Sequence, residues 1–482
     1  MAHAPITITT INAIKFGTDG WRGVIAADFT FERIQLVAPI AAQTLAEVYG
    51  DTTGSNTVIV GYDRRFLSEE FARTAAESIR SVGFDVLFSE SFAPTPAFSW
   101  AAKQRNALGA IVITASHNPG AYSGLKVKGA FGGSVPPDVT QKIEARLAQG
   151  QPATVEQPGA FATFDPWDSY CAGLRSLVDV NAIRTAIEHG KVAVFADVMH
   201  GAAAGGLAKL LGVEIRELNG DRDPLFENGA PEPLPKYLSK LLQSVKDFDG
   251  NSLAVGLVFD GDADRIGAVD GDGNFLSSQI LIPILIEHLT LRKGFKGEVV
   301  KTVSGLGLIA QVAKLYNLPV FETPIGYKYI ADRMLETQVL LGGEESGGIG
   351  YGHHIPERDA LLAALYLLET VVQTGSDLGE LYRQLQEKTN FTAAYDRIDL
   401  PLASMEVRDR LLHQLKNNPP QEIAGRAVIH CQTDDGYKFH LADQSWLLIR
   451  FSGTEPVLRL YCEAATIELV HQTLDWAKNW AN

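Results

Sequence analysis

The chain has 482 residues, room for about three or four domains at roughly 150 residues each. Its 57 acidic against 42 basic side chains leave a net charge of −15, which excludes a generic polyanion binder, because nucleic-acid backbones are held by a surplus of Lys and Arg. Any anionic substrate must meet positive charge concentrated locally against the overall field. Cys171, Cys431 and Cys462 are far apart with no CxxC spacing, which argues against a disulfide framework and a zinc knuckle. The N-terminus lacks a charged segment followed by an apolar one. The most apolar stretch, 280–291, is broken by Pro283, Glu287 and His288 and is too short for a bilayer. The expectation is a soluble, cytoplasmic, folded protein with no nucleic-acid or membrane partner.

Strand-like runs alternate with helix-like periodic segments, the pattern of α/β layers. TVIVGYD (57–63) is a β-branched run. The spacing then predicts a helix from Ser68, with Phe71, Ala75, Ile79 and Val82 on one face, Glu69 and Glu70 in its first turn and Gly83 beyond its end. A strand over 84–88, a helix over 96–105 and a strand over 108–114 follow, and the loop after this last strand reads ASHNPG. A second unit opens with 191–197 and closes with 253–260, followed by GDADR. A third holds a helix near 279–291, a strand over 297–303 and a short strand near 338–342, followed by GEESGG. The same device recurs three times: a buried strand, then a polar or acidic loop. Ligands of open α/β sheets bind outside the carboxyl ends of strands, so three such loops are expected to converge on one cleft. From about residue 391 the texture changes. Residues 446–464 read as two strands around a tight turn, and Ile467, Val470, Leu474 and Ala477 mark a terminal amphipathic helix. Linker-like composition falls at 149–160 and at 417–421, the latter inside the last domain.

Ser116 lies in TASHNP directly after a buried strand, which suits a nucleophile and equally suits a turn. Asp260, Asp262 and Asp264 alternate, so their carboxylates can point the same way from an extended loop. Two such charges ~5 Å apart repel by about 3 kcal/mol at an effective dielectric near 20, so three need a cation, proton uptake or splaying. Hard oxygen donors favour Mg²⁺ or Ca²⁺, and the EF-hand pattern fails because Arg265 and Gly271 stand where Gly and Glu are required. The similar DGDGN at 270–274 reads as a hairpin turn between two short strands. Glu344 and Ser346, in GGEESGG, offer a carboxylate and a hydroxyl for vicinal sugar hydroxyls, with glycines that admit a ligand close to the backbone. Arg450 to Pro456, with Arg459, gathers the donors a phosphate monoester needs, although a hairpin with exposed arginines has the same composition.

The ordered set TASHNP, DGDADR, GEESGG and RFSGTEP resembles the α-D-phosphohexomutase family (phosphoglucomutases and phosphomannomutases). The resemblance extends to FGTDGWRG (16–23), GYDRR (61–65) and GLKV (124–127) and covers nearly the whole chain. It implies three related α/β domains with mixed, mostly parallel sheets and a C-terminal α+β domain around a central cleft, with boundaries at 1–155, 156–274, 275–390 and 391–482. It also implies that Ser116 carries a transferable phosphoryl group and, with Asp260, Asp262 and Asp264, holds Mg²⁺. Glu344 and Ser346 would read sugar hydroxyls. Arg450, Ser452, Gly453, Thr454 and Arg459 would hold the non-reacting phosphate, and Arg22 and Arg265 would face the phosphoserine. Lys126, Lys328 and His117 are the candidate proton carriers, and the sequence does not choose among them.

The implied activity is interconversion of glucose 1-phosphate and glucose 6-phosphate through glucose 1,6-bisphosphate, which serves as both intermediate and activator. Glu345 favours glucose, because mannose- and glucosamine-type members usually carry Met or Gln there. PERDALL (356–362) departs from the glucose-type pattern and leaves mannose phosphates open. A synthase that releases glucose 1,6-bisphosphate, made with fructose 1,6-bisphosphate or another bisphosphate donor, would carry the same motifs. An Asp-nucleophile phosphatase is disfavoured by Asp264 and by TASHNP, and a non-catalytic sensor by the intact site positions. Oligomeric state, monomer or dimer, is left open.

Overall fold

Four β-sheets organise the chain in the computed structural model, which describes residues 14–17, 20–150, 152–452 and 456–481. In the first sheet Gly109–Ile113, Thr57–Tyr62, Asp85–Ser89 and Phe161–Phe164 run parallel, while at one side Tyr122–Gly129 pairs antiparallel with Gly109–Ile113 and Trp21–Val24 pairs antiparallel with Tyr122–Gly129. The second sheet pairs Leu253–Phe259, Val192–Asp197 and Arg216–Leu218 in parallel, with Ile266–Val269 and Phe275–Leu276 antiparallel. The third has Val320–Thr323, Glu298–Thr302 and Val339–Gly343 parallel and Ile349–Tyr351 antiparallel. The fourth links Ala394–Pro401, Val457–Ala464, Trp446–Phe451, Tyr437–Leu441, Arg426–Gln432 and Glu422–Ile423 as antiparallel neighbours. Three α/β domains with mixed sheets and a C-terminal α+β domain are therefore present.

The central strands are buried from end to end because helices cover both faces, so their sequences are continuous apolar runs rather than alternating ones. Gly109–Ile113, Val192–Asp197 and Val339–Gly343 contain no exposed residue. The helix Ser68–Ser81 buries Phe71, Ala75 and Ile79 as its periodicity predicts. The terminal helix Ile467–Ala481 buries Val470, Leu474 and Ala477 against the fourth sheet. The DGDGN segment is a hairpin turn, with Val269 opposite Phe275.

Two expectations are revised. Phe161–Phe164, beyond the expected boundary at 155, pairs in parallel with Asp85–Ser89 and completes the first sheet. Only four residues long and exposed along most of its length, it gives no buried-strand signal in sequence. The helix expected at 279–291 is α-helical over Ser278–Glu287 and then widens into a π turn over His288–Arg292. There His288 Nε2 lies 2.8 Å from Glu369 Oε2, inside the protein.

In each α/β domain one connection has the same form. A parallel strand ends, a short loop follows, and an antiparallel strand returns beside it: Gly109–Ile113 to Tyr122–Gly129, Leu253–Phe259 to Ile266–Val269, and Val339–Gly343 to Ile349–Tyr351. A hairpin fixes both ends of its loop, so the side chains between them are carried by rigid elements. Gly61 shows how tightly the first domain is packed. A Cβ there would lie 2.3 Å from the Phe98 ring. Gly61→Ala is therefore expected to cost about 1–3 kcal/mol through overpacking, read as a lowered midpoint of the first thermal transition; an unchanged melting curve would show that Phe98 yields freely.

Candidate functional site

Ser116 follows the strand Gly109–Ile113 and adopts a left-handed backbone conformation, φ 54°. Such geometry in a non-glycine residue persists only where its surroundings over-determine it. Here they do. The Ser116 N–H donates to Thr114 Oγ1 (2.9 Å), and the fully buried Arg65 grips the loop backbone. Arg65 donates from Nη2 to the carbonyls of Ser116 (2.5 Å) and Asn118 (2.7 Å), and from Nη1 to those of Pro119 and Tyr122 (both 3.1 Å). Its Nε lies 3.2 Å from Asp63 Oδ2. Sequence reasoning noted GYDRR but assigned Arg65 no role; an arginine beside an aspartate at a strand end was the available signal.

The Ser116 hydroxyl donates to Asp260 Oδ2 at 2.9 Å and lies 3.4 Å from His117 Nδ1. Asp260, Asp262 and Asp264 are all buried, and ligand oxygens from the three lie within 4.8 Å of one another. Asp260 Oδ1 accepts the N–H groups of Asp264 (3.0 Å) and Arg265 (3.1 Å), which holds the loop in shape. Burial, then the neighbouring Asp264 and Asp262, raise the Asp260 carboxyl well above the usual carboxylate range. Cations come from two other domains. Lys126 Nζ lies 2.8 Å from Asp262 Oδ2 and 2.9 Å from Asp264 Oδ2, and Arg358 Nη2 donates to Asp264 Oδ2 at 2.7 Å. Thr95 donates its hydroxyl to Asp262 Oδ2 at 2.5 Å. Asp264 Oδ1 is buried and accepts no hydrogen bond among the described residues. A compact, all-oxygen, anionic donor set with an unfilled lone pair fits a hard divalent cation such as Mg²⁺.

The remaining candidates fall into four positions. Arg22 donates to Asn118 Oδ1 at 2.7 Å, and Arg265 Nε stands 3.9 Å from Asp264 Oδ1, so both flank the serine and metal loops. Burial, with Arg265 and Arg22 close by, keeps His117 far below the ordinary histidine range and neutral. Lys328 is apart from this cluster: its ammonium lies over the Tyr329 ring at 4.8 Å, and no contact among the described residues ties it to Ser116 or the carboxylates.

Glu344 and Ser346 occupy the loop between Val339–Gly343 and Ile349–Tyr351. This loop is joined to the metal loop by backbone, through a bridge between Arg265 and Gly348 and the Ile266 N–H donating to Gly347 O (3.0 Å). Arg358 spans both loops, with Nη1 3.9 Å from Glu344 Oε2, and a Cβ on Gly348 would sit 2.2 Å from its Cδ. Burial pushes the Glu344 carboxyl up to about 7 despite Arg358. In the C-terminal domain Arg450 and Arg459 are direct cross-strand neighbours. Arg450 Nε donates to Asp435 Oδ1 (2.9 Å), and Arg408 donates to the Ser452 carbonyl (2.8 Å). Gly453 and Thr454 lie outside the described residues.

Models of the phosphoglucomutase/phosphomannomutase family match in chain order: alpha/beta/alpha domain I over 13–154, domain II over 168–273, domain III over 277–389 and the C-terminal domain over 409–475. The chain belongs to the α-D-phosphohexomutase family. Among solved structures, a Thermus thermophilus protein named as a phosphomannomutase is 34% identical, with 97% of this chain and 98% of that one covered and a TM-score of 0.83. Among curated relatives, a phosphoglucosamine/phosphogalactosamine mutase of Sulfurisphaera tokodaii is 29% identical over 93% of this chain and 95% of its own length. A phosphoglucomutase/phosphomannomutase of Thermococcus kodakarensis is 29% identical over 95% and 96%. Among the described residues of this phosphohexomutase, no helix is long and apolar enough to cross a membrane.

These electrostatics give two expected outcomes. Mg²⁺ at about 100 times its dissociation constant should stabilise the phosphohexomutase by about 2.7 kcal/mol, read as a rise in melting midpoint. Asp264→Asn should lose most of that rise, whereas an undiminished response would place the cation elsewhere. For Glu344, a folded-state value raised from 4.5 to about 7 contributes stability below pH 4.5 that is lost as pH rises through 7. Glu344→Gln should therefore gain on the native protein between about pH 5 and 8, by at most about 3 kcal/mol; denaturation curves at both pH values check the sign.

Proposed function

We propose that this phosphohexomutase interconverts glucose 1-phosphate and glucose 6-phosphate through a phosphoserine at Ser116 and a glucose 1,6-bisphosphate intermediate, with mannose phosphates as further substrates. The observation that carries the reading is the Ser116 hydroxyl at 2.9 Å from a buried triplet of carboxylates. Arg22 and Arg265 stand beside it, and a second cationic pair, Arg450 and Arg459, belongs to another domain. Two separate phosphate positions suit a substrate that is bound by one phosphate while it exchanges the other. The similarity to phosphoglucomutase/phosphomannomutase and to amino-sugar mutases supports hexose phosphates as the class. Glu345 supports glucose within it.

Asp260, Asp262 and Asp264, with an oxygen on Ser116, would hold Mg²⁺, which supplies positive charge for the transferring phosphoryl oxygens. The Ser116 oxygen gives its phosphoryl group to the 6-hydroxyl of a 1-phosphate, and the bisphosphate, turned over in the cleft, returns its other phosphate to Ser116. Arg22 and Arg265 line the reacting side. Lys126 lies among the carboxylates and is better placed than Lys328 to exchange the hydroxyl proton. Arg450 and Arg459 hold the non-reacting phosphate and so orient the sugar over Glu344 and Ser346.

The test supplies purified protein with Mg²⁺, glucose 1-phosphate and a trace of glucose 1,6-bisphosphate and follows glucose 6-phosphate. A second tube supplies fructose 1,6-bisphosphate and glucose 6-phosphate. Ser116→Ala should fall to background, and Asp262→Asn should lose about 10²–10³-fold in turnover. Slow isomerisation with steady bisphosphate accumulation in the second tube would assign a bisphosphate synthase, and activity surviving in Ser116→Ala would overturn the phosphoserine route.

A further inference from the structure

The sugar loop meets the C-terminal domain at one buried carboxylate. Glu345 stands between Glu344 and Ser346, and its side chain is 4% exposed. Its Oε2 accepts the Ser304 hydroxyl at 2.8 Å, and its Oε1 lies 3.6 Å from Arg397 Nη1. Arg397 is in Ala394–Pro401, directly opposite Tyr461, while Arg459 lies two residues away opposite both Asp399 and Arg450. Residues i and i+2 share a sheet face, so Arg397, Arg459 and Arg450 stand on one face of three neighbouring strands. Arg397 is not free to grip a phosphate, because its other arm, Nη2, lies 3.4 Å from Asp399 Oδ2. The two domains also join through Lys438, which donates to the Val303 carbonyl (2.7 Å), through Asp435 and Glu463, which accept the Ile325 and Gly307 N–H groups (2.7 and 2.6 Å), through Gln432, which donates to Glu322 (2.9 Å), and through the apolar cluster of Val303, Trp446, Leu448 and Tyr461. The contact through Arg397 is made by the sugar loop itself.

We propose that the Glu345–Arg397 ion pair is the latch that sets the phosphate-gripping strands over the sugar loop, so that Arg397 is a positioning residue for hexose-phosphate binding and a glutamate at 345 requires an arginine at 397. The inference rests on the function proposed above. A buried carboxylate stripped of its partner is costly, whereas removing both charges together is tolerated. The pair therefore behaves as a unit, and the strands that carry Arg450 and Arg459 inherit its register.

The test compares Glu345→Met, Arg397→Leu, Arg397→Lys and the Glu345→Met/Arg397→Leu double variant with the native enzyme, using glucose 1-phosphate. Each single neutral variant should raise KM about tenfold with kcat nearly unchanged, the pattern of lost uniform binding. Arg397→Lys should recover most of the loss, and the double variant should be no worse than either single. Multiplying losses in the double variant, or a KM that stays native in Arg397→Leu, would overturn the latch. A merely structural defect would instead lower kcat and the magnesium-induced rise in melting midpoint. If the native protein turns over no hexose phosphate, the proposed function falls, and small-angle scattering then judges the latch: a larger radius of gyration for Arg397→Leu supports it and superimposable curves overturn it.

Discussion

Three carboxylates enclosed within 4.8 Å of one another, out of reach of water, form the arrangement on which the rest of the molecule depends. Their mutual repulsion opposes folding unless positive charge is brought to them, and the chain brings it from other domains: Lys126 from the first and Arg358 from the third. The domain arrangement is thus tied to the electrostatics of one loop. A divalent cation would complete what the ammonium and guanidinium groups begin, and Asp264 Oδ1 accepts no hydrogen bond among the described residues.

The positions of these groups are set by backbone rather than by flexible side chains. Each functional loop is the tip of a hairpin, and the loops touch through main-chain atoms: a Cβ on Gly261 would lie 2.3 Å from the Ser116 carbonyl, and Arg265 bridges to Gly348. Arg65 extends this by collecting four carbonyls of the serine loop on one planar group. Ser116 is held in its left-handed conformation by that grip, which leaves the hydroxyl aimed at the carboxylates. Order is concentrated where charge must be placed to within a fraction of an ångström.

The C-terminal domain is attached differently. One face of its sheet packs on two helices, and the other turns toward the third domain. Buried charges recur there: Lys438 is held down to about 8 by burial and by Lys301, and Lys301 and Lys438 hold Glu322 at about 2 against the opposing effect of its burial. Such an interface is specific and polar, and it holds the sheet that carries Arg450 and Arg459 against the third domain.

The sequence by itself determined the strands that end in polar loops, the Asp triplet, the place of Ser116 after a buried strand, and the pair of strands that carries Arg450 and Arg459. Each is local: a buried apolar run is legible within a few residues, and alternating carboxylates declare their shared direction. The hairpin at 270–274 was readable for the same reason. Tertiary structure alone decided the partners. Arg65 lies 51 residues from Ser116, Arg358 lies 94 from Asp264, and Thr95 lies 167 from Asp262, and no periodicity links such separations. It also decided that Phe161–Phe164 belongs to the first sheet, that Lys126 rather than Lys328 lies among the carboxylates, and that Glu345 is answered by Arg397. Local pattern fixes which face a residue presents. What it meets there depends on how separate sheets pack, and that depends on the whole chain.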